Sequence, residues 1–163
     1  MAEGLRWYVA HTRPRCEKKL ARYCEREGIE HNLPTYKSVR KYPRKKVIFD
    51  KPLFPGYVFL FTEKRWRRDL FQSDYLANLL EVDNQALFVR QMADIQKALA
   101  AEVEIQLAPT IVRGAQVRVK YGPLAGVEGW VTDRQGMTTV LLEVSFIGQA
   151  AAVKLEVEDL ELI

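Results

Sequence analysis

The stretch Pro52–Phe61, PLFPGYVFLF, decides how the first part of the chain folds. Its Pro55-Gly56 pair predicts a turn or bulge, and the residues from Tyr57 onward favour a strand because aromatic and β-branched side chains pack well on a pleated surface. Alternation along this strand gives it two apolar sides, which hold Tyr57, Phe59 and Phe61 and, opposite them, Val58 and Leu60. Either the chain covers both sides itself or a partner covers one of them.

Length and composition limit the possible classes of protein. The chain has 163 residues, 48% of them hydrophobic, which allows one large domain or two small ones with real cores. No window holds 18 consecutive apolar residues, and the N-terminus lacks the apolar core of a signal peptide. We therefore expect a soluble, cytoplasmic protein with no membrane partner. We also expect it to be a monomer.

Helical and strand patterns alternate over residues 5–106. The predicted elements are a strand at Leu5–His11, a helix capped by Thr12 with Pro14 in its first turn and ended by Gly28, a strand at Ile29–Tyr36 interrupted by Pro34, the central strand, a short helix at Glu63–Gln72, two strands at Tyr75–Val82 and Gln85–Arg90 joined by a turn at Asp83-Asn84, and a helix at Gln91–Ile105. This order predicts an α+β fold, in which an N-terminal α/β sandwich packs its helices on a mostly antiparallel sheet.

The sequence pattern changes after residue 106. Residues 107–113 are predicted to be a linker, and residues 114–163 show short alternating runs separated by glycine or polar turns. Regular short strands of this kind predict a small closed barrel of five strands, in which curling the sheet removes its edges.

Positive charge is concentrated in residues 13–68, which carry 17 Lys/Arg and six Asp/Glu. Such a concentration is typical of a polyanion-binding face, although a solvated surface is the alternative. The candidate nucleic-acid-binding residues are Arg13, Arg15, Lys18 and Arg22 on the first helix and Arg40, Lys41, Arg44, Lys45 and Lys46 in the run Lys37–Lys51.

The run Lys37–Lys51 predicts a projecting basic hairpin or loop. Tyr36, Tyr42 and Phe49 are interleaved with its cations. Because cations reach phosphates and aromatic rings stack on unpaired bases, this composition favours single-stranded or distorted nucleic acid. The alternative is a disordered, solvated loop.

Signals for catalysis and metal binding are absent from the sequence. His11, Cys16, Cys24 and His31 lack the paired close spacing of a zinc site, and the two cysteines lie too far apart on one helix for a disulfide. The sequence has no glycine-rich phosphate loop and no nucleophile elbow. We therefore predict no metal, no cofactor and no enzymatic activity.

Two motifs resemble a known family. The pattern Gly114-x-x-Val117-x-Val119-x-x-Gly122-Pro123-Leu124-x-Gly126-Val127-x-Gly129-x-Val131 resembles the KOW motif. The preceding region with its Pro-Leu-Phe-Pro-Gly-Tyr-Val run resembles the N-terminal domain of NusG-type transcription elongation factors, and among these the specialised RfaH-like paralogues. The two motifs in this order cover nearly the whole chain.

The resemblance implies a transcription elongation or antitermination factor that modulates pausing or termination. In such factors an apolar patch of the N-terminal domain binds the clamp helices of the largest RNA polymerase subunit; here the matching residues are Phe54, Pro55, Tyr57 and Phe59, with His11 nearby. The alternative for each aromatic ring is that it only fills the core of its own domain. The basic residues named above would face the non-template DNA strand.

The KOW barrel of such factors recruits a second partner, a small-subunit ribosomal protein or the termination factor Rho. The matching loop contains Phe146 and Ile147, which either bind that partner or plug the barrel. Alternating Val153, Leu155 and Val157 predict that this region stays a stable barrel. The alternative function is a ribosome-associated RNA-binding KOW protein, against which the acidic balance of the barrel argues.

Overall fold

The computed structural model describes residues 4–101, 103–134 and 136–163. By the density of its contacts the chain divides into two compact units, the first ending at Gln85 and the second comprising Ala86–Ile163. The elements in chain order are β1 (Arg6–Thr12), α1 (Glu17–Glu27), β2 (Glu30–Asn32), β3 (Thr35–Tyr42), β4 (Lys45–Pro52), β5 (Tyr57–Thr62), α2 (Arg67–Gln72), β6 (Leu76–Glu81), α3 (Gln85–Ala100), β7 (Ile105–Ala108), β8 (Gln116–Val119), β9 (Glu128–Arg134), β10 (Met137–Val144), β11 (Gln149–Lys154) and β12 (Leu160–Leu162).

The first unit is built on a four-stranded sheet in the order β2-β5-β1-β6, with every pair antiparallel. Val58 and Leu60 of β5 lie in a core with Leu20 and Cys24 of α1 and Leu70 of α2, so the chain's own helices cover this side of the strand. The middle of β5 and the middle of β1 are fully buried, and both strands have hydrogen-bonded neighbours on both edges.

Helix α1 begins later than the sequence predicts. Thr12 does not cap it: its N–H donates to the Gly56 carbonyl at 2.8 Å, which keeps Thr12 in β1, and the helix starts at Glu17 with Cys16 in the capping position. Gly28 ends the helix in the left-handed region at φ 72°, as its position predicts. Both cysteines are free thiols.

The basic hairpin is confirmed. Pro34 separates β2 from β3, and β3 pairs antiparallel with β4 over eight residue pairs from Thr35↔Pro52 to Tyr42↔Lys45. A two-residue turn, Pro43-Arg44, joins the strands. Neither residue has a positive φ, and proline is compatible with such a turn because its ring fixes a negative φ at the first corner.

The prediction of a strand at Gln85–Arg90 is wrong. Helix α3 already begins at Gln85, because the buried positions Phe88, Met92, Ile95 and Ala98 form one helical stripe. The Gln85 side chain accepts the Trp7 N–H at 2.7 Å and donates to the Trp7 carbonyl at 2.9 Å. The predicted end of this helix at Ile105 is also wrong, since Ile105 starts β7; residue 102 lies outside the described residues.

The second unit contains a six-stranded antiparallel sheet in the order β12-β8-β9-β10-β11-β7. The predicted five strands gain β7, which pairs with β11, so the predicted linker 107–113 begins inside a strand. Of the alternating residues, Val153 lies in β11, whereas Leu155 lies beyond its end and Val157 begins a 3-10 turn.

The α+β class is confirmed, with an N-terminal α/β sandwich and a C-terminal β domain. The division by contacts differs from the predicted domain bounds of 5–106 and 114–163, because α3 from Ala86 onward and β7 fall in the second unit. The domain bounds themselves stay a prediction.

We predict that Gly129→Ala destabilises the second unit. A methyl group at Gly129 would lie 2.4 Å from the Leu141 carbonyl oxygen and 2.7 Å from Val140 Cγ1, so the strands must move apart. Overpacking of this kind lowers the free energy of unfolding by about 1–3 kcal/mol. Urea unfolding followed by circular dichroism measures the loss. Gly4→Ala is the control, since nothing lies within 4 Å of that position, and equal midpoints for the two variants would contradict the prediction.

Candidate functional site

The turn before β5 is held by a buried carboxylate. Glu17, the first residue of α1, is 9% exposed, and its Oε2 accepts the Gly56 N–H at 2.9 Å. The Gly56 carbonyl accepts the Thr12 N–H at 2.8 Å. The turn is therefore tied both to α1 and to the end of β1.

Gly56 cannot readily be replaced. Its φ is +89°, a region that favours glycine, and a Cβ there would lie 3.6 Å from Cδ2 of His11. That distance is an ordinary van der Waals contact, so the positive φ, and not a lack of space, is what favours glycine here.

His11, Pro55 and Tyr57 form an exposed group that we call the aromatic edge. His11 and Tyr57 face each other across β1 and β5, and their rings stack with centroids 5.2 Å apart at an interplanar angle of 25°. His11 and Pro55 are exposed and Tyr57 is half-buried. These three of the five predicted polymerase-binding residues lie together at one end of the sheet.

Phe54 and Phe59 do not belong to this edge. Phe54 is 1% exposed and Phe59 is 0% exposed, so neither ring is available to a partner in this structure. Phe59 sits opposite Val9, which is itself fully buried, in the central pair of strands. The expectation that both rings are anchors is corrected: they fill the interior of the chain.

A groove of about 820 Å³ adjoins the aromatic edge. His11, Pro55 and Gly56 form one part of its wall, and Pro52 and Ala77 also line it. The cations that line it come from the first part of α1 and the turn before it: Arg13, Arg15, Lys18, Lys19 and Arg22. The structure therefore brings Pro55 next to His11 and to candidate nucleic-acid-binding residues from which the sequence separates Pro55 by 33 to 42 positions.

Two charged residues that line the groove, Lys19 and Glu17, escaped the sequence-based site. Lys19 precedes Arg22 by three positions on α1, and this helical spacing already indicates a shared face. Glu17 had no such signal, because only the folded chain shows that its carboxylate meets the Gly56 N–H.

The register of the hairpin gives it two different faces, since paired residues point to the same side. The ring face carries Tyr36, Arg40, Tyr42, Lys45, Val47, Phe49 and Lys51, and the aliphatic face carries Lys37, Val39, Lys41, Lys46, Ile48 and Asp50. Arg44 lies at the tip. All five predicted cations, at positions 40, 41, 44, 45 and 46, are exposed.

At the base of the aliphatic face, the positive charge of Lys37 is balanced by the negative charge of Asp50. Lys37 Nζ lies 2.7 Å from Oδ1 of Asp50. The hydrogen bond from Lys37 and its positive charge, together with the charge of Lys18, hold the pKa of the Asp50 carboxyl below its usual value. Asp50 thus neutralises part of the positive charge on this face.

The loop after β10 is fastened within the second unit. Phe146 and Ile147 lie in a 3-10 turn, Ser145–Ile147, and both are half-buried. The Phe146 ring lies 5.8 Å from the Phe88 ring of α3, and the Gln91 side chain accepts the Ser145 N–H at 3.0 Å. The two loop residues are neither fully exposed nor fully enclosed, so both predicted roles stay open.

Glu143 fixes the start of this loop. Burial raises the pKa of its carboxyl, but hydrogen bonds from Ser145, Arg113 and Trp130 outweigh that effect and hold the pKa below its usual value. The Trp130 indole N–H donates to Oε1 of Glu143 at 2.8 Å. The carboxylate form is therefore favoured next to the loop.

Within the described ranges, no three His, Cys, Asp or Glu side chains are grouped so that they could hold a metal ion. None of the helices in those ranges is long and apolar enough to cross a membrane.

A family model described as "Transcription termination factor nusG" matches residues 5–118. This chain belongs to the NusG family. The NusG family consists of non-enzymatic transcription factors that interact with RNA polymerase, so the predicted resemblance is confirmed at the level of the family.

Solved structures agree on the fold of this NusG-family chain. Seventeen chains match it. One is NusG of Thermotoga maritima, from a study of domain interaction in that protein; the match covers 98% of this chain and 97% of that chain, with a TM-score of 0.52 and 24% sequence identity. No curated protein sequence matches the chain.

We predict that Glu17→Ala destabilises the first unit. It removes the acceptor of the Gly56 N–H and leaves that donor unsatisfied, which costs about 1–3 kcal/mol in the free energy of unfolding. Urea unfolding of the variant measures the loss, and Glu17→Gln, which retains an acceptor oxygen, should lose less.

Glu25→Ala, at an exposed position on the same helix, is the control for helix propensity. If Glu17→Ala is no less stable than Glu25→Ala, the bond to Gly56 does not hold the turn.

Proposed function

We propose that this chain is a transcription elongation and antitermination factor that binds the clamp helices of the largest RNA polymerase subunit through the aromatic edge. Cations of α1 and the hairpin then contact the non-template DNA strand, and the bound factor modulates pausing or termination. The single observation that supports this most is the groove in which His11 and Pro55 share one surface with Arg13, Arg15, Lys18 and Arg22.

The chemistry of the aromatic edge suits a helical partner. A stacked His11–Tyr57 pair beside an exposed proline offers rigid apolar area at little cost in side-chain entropy. Such anchors dominate interface energies when a partner covers them. Because Phe54 and Phe59 are buried, the proposed contact uses only three of the five predicted residues.

The cations next to the edge supply the second contact. Phosphate contacts give affinity without reading sequence, so they would hold the DNA strand beside the polymerase but not select a site. The Pro-Leu-Phe-Pro run supports a specialised, RfaH-like member of the family. We infer that it works in the cytoplasm as a monomer.

The loop of the second unit is the proposed site for a further partner, a small-subunit ribosomal protein or Rho. Ile147 and the half-exposed part of Phe146 are the apolar residues available there. The packing of Phe146 against Phe88 would orient the loop.

Binding to polymerase tests the first contact. We expect core RNA polymerase to retain the protein, and His11→Ala and Tyr57→Ala each to weaken retention about tenfold, since each removes one anchor. A titrated pull-down measures the change. Tyr121→Ala removes an exposed tyrosine of the second unit and should leave retention unchanged.

Failure of core polymerase to retain the wild-type protein would refute this proposal. So would equal retention of Tyr57→Ala and Tyr121→Ala. Retention by ribosomes instead would favour the alternative of a ribosome-associated protein.

Salt dependence tests the second contact. If about 4–6 phosphates are neutralised, the logarithm of affinity for DNA falls with the logarithm of salt at a slope of several units. The double variant Arg15→Ala/Arg22→Ala should reduce that slope by about 1–2. Lys120→Ala/Arg134→Ala, which changes the net charge equally in the second unit, should leave it unaltered. Equal slopes for both double variants would dismiss Arg15 and Arg22 as DNA contacts.

A further inference from the structure

A second groove, of about 370 Å³, lies wholly within the second unit. It is lined by Gly136 and the first residues of β10, Met137 and Thr138, and by residues 154–159, which comprise the end of β11 and the segment after it. Within that segment Val157–Asp159 is a 3-10 turn. We call this groove the acidic groove.

Backbone hydrogen bonds hold the acidic groove in place. The Leu155 N–H donates to the Thr138 carbonyl at 3.2 Å and so joins the two lining segments. The Asp159 N–H donates to the Glu156 carbonyl at 3.0 Å, and the Asp159 carbonyl accepts the Lys120 N–H, just after β8, at 2.7 Å. The groove is therefore formed before any partner binds, which lowers the entropic cost of binding.

Apolar side chains of the acidic groove are open to solvent. Val157 is 63% exposed and Met137 is 47% exposed, and Leu155 is half-buried. A single exposed apolar residue is ordinary, but these three line one groove. A partner that removes their area from water gains free energy.

Three carboxylates of the acidic groove lack a cation partner. Glu156 and Glu158 are exposed and Asp159 is half-buried. In the part of the chain that the structure describes, none of the three forms an ion pair with a Lys or Arg side chain. Their negative charge is therefore available to a partner.

Other carboxylates of the second unit do have cation partners: Glu104 with Lys154, Glu128 with Arg90 and Arg118, and Glu143 with Arg113. Among the described residues, Lys154 is the one cation that lines the acidic groove. Since Lys154 lies 3.5 Å from Glu104, which is outside the lining, it does not neutralise the groove's own carboxylates.

The sign and spread of this charge limit the class of ligand. Carboxylates repel phosphates, so neither a nucleic acid nor an anionic lipid fits. No three acidic, His or Cys side chains of the described ranges are grouped to hold a metal ion, so a single small cation does not fit either. Positive charges spread along a peptide, with aliphatic side chains between them, match both the carboxylates and the apolar residues.

The acidic groove is distinct from the loop at Phe146. Strand β10 begins in the groove at Met137 and ends at Val144, directly before the loop. A strand of this length spans about 25 Å. The two surfaces therefore lie at opposite ends of β10.

We propose that the acidic groove binds a basic segment of a partner protein in which Lys or Arg residues flank aliphatic residues. The carboxylates of Glu156, Glu158 and Asp159 pair with the cations of that segment. Val157 and Met137 contact its aliphatic side chains. This inference goes beyond the proposed function, which assigns no partner to this end of the second unit.

Binding of fluorescent peptides to the full chain, measured by anisotropy, tests this. The probe is a ten-residue peptide with two Val among eight Lys. One counterpart replaces both Val by Ser, and another replaces every Lys by Glu. The first variant of the protein is Glu156→Gln/Glu158→Gln. Its matched control is Glu25→Gln/Glu27→Gln, which removes two exposed carboxylates from α1 and changes the net charge equally.

We expect the Lys/Val peptide to bind more tightly than the Lys/Ser peptide, and the Glu peptide not to bind. Glu156→Gln/Glu158→Gln should weaken binding of the Lys/Val peptide about fivefold, because two ion pairs are lost. Val157→Ala should weaken it about threefold and reduce the preference for Val over Ser. The α1 control should change neither quantity.

Two further variants complete the test. Ile147→Ala, in the loop at the other end of β10, should leave peptide binding unchanged. Thermal unfolding should not differ between the wild type and the groove variants, since the substituted side chains are exposed. If Val157→Ala lowers the melting temperature, Met137→Ala measures the apolar contact instead.

Equal losses for the groove variant and the α1 control would overturn the inference in favour of attraction by net charge. Equal binding of the Val and Ser peptides would overturn it as well, because the apolar residues would then take no part. So would a loss in Ile147→Ala as large as that in Val157→Ala, since the peptide would then bind at the loop. Retention on core polymerase is a separate measurement and decides none of these outcomes.

Discussion

The hydrogen bond between the buried carboxylate of Glu17 and the N–H of Gly56 is the contact on which the candidate site depends. It joins the first turn of α1 to the turn before β5, and the bond from Thr12 to the Gly56 carbonyl joins the same turn to β1. Because a charged acceptor makes a strong hydrogen bond, this contact keeps the basic side of α1 beside the aromatic edge. The groove exists only while these elements stay together.

A second constraint is the register of β3 and β4. Side chains alternate along a strand, so a shift of one residue would exchange the two faces of the hairpin. The observed register collects the rings and their cations on one side and places the ion pair of Lys37 with Asp50 on the other. The ring face of the hairpin is thus suited to bases as well as to phosphates, and the aliphatic face is not.

In the second unit, the KOW-like strands contact two elements, α3 and β7, that lie outside the KOW-like run. The KOW-like run supplies the strands around Gly129, but the loop at Phe146 is fastened by Phe88 and Gln91 of α3. The strand β7 joins the same sheet through β11. Neither element has a pattern that would attach it to the β domain, since an apolar helical stripe indicates burial without indicating against what.

Alternation, turn residues and helical periodicity determined most of the elements: β1, the body of α1, the hairpin, β5, and the strands of the β domain follow from neighbours within a few positions. Charge clustering likewise identified the cations of α1 and the hairpin. Only the tertiary structure decided which apolar residues are accessible. Pro55, Tyr57, Phe54 and Phe59 have the same local character, yet the first two are at least partly exposed and the last two are fully buried, because burial depends on segments distant in the chain. The same holds for Glu17, whose role depends on a glycine 39 positions away.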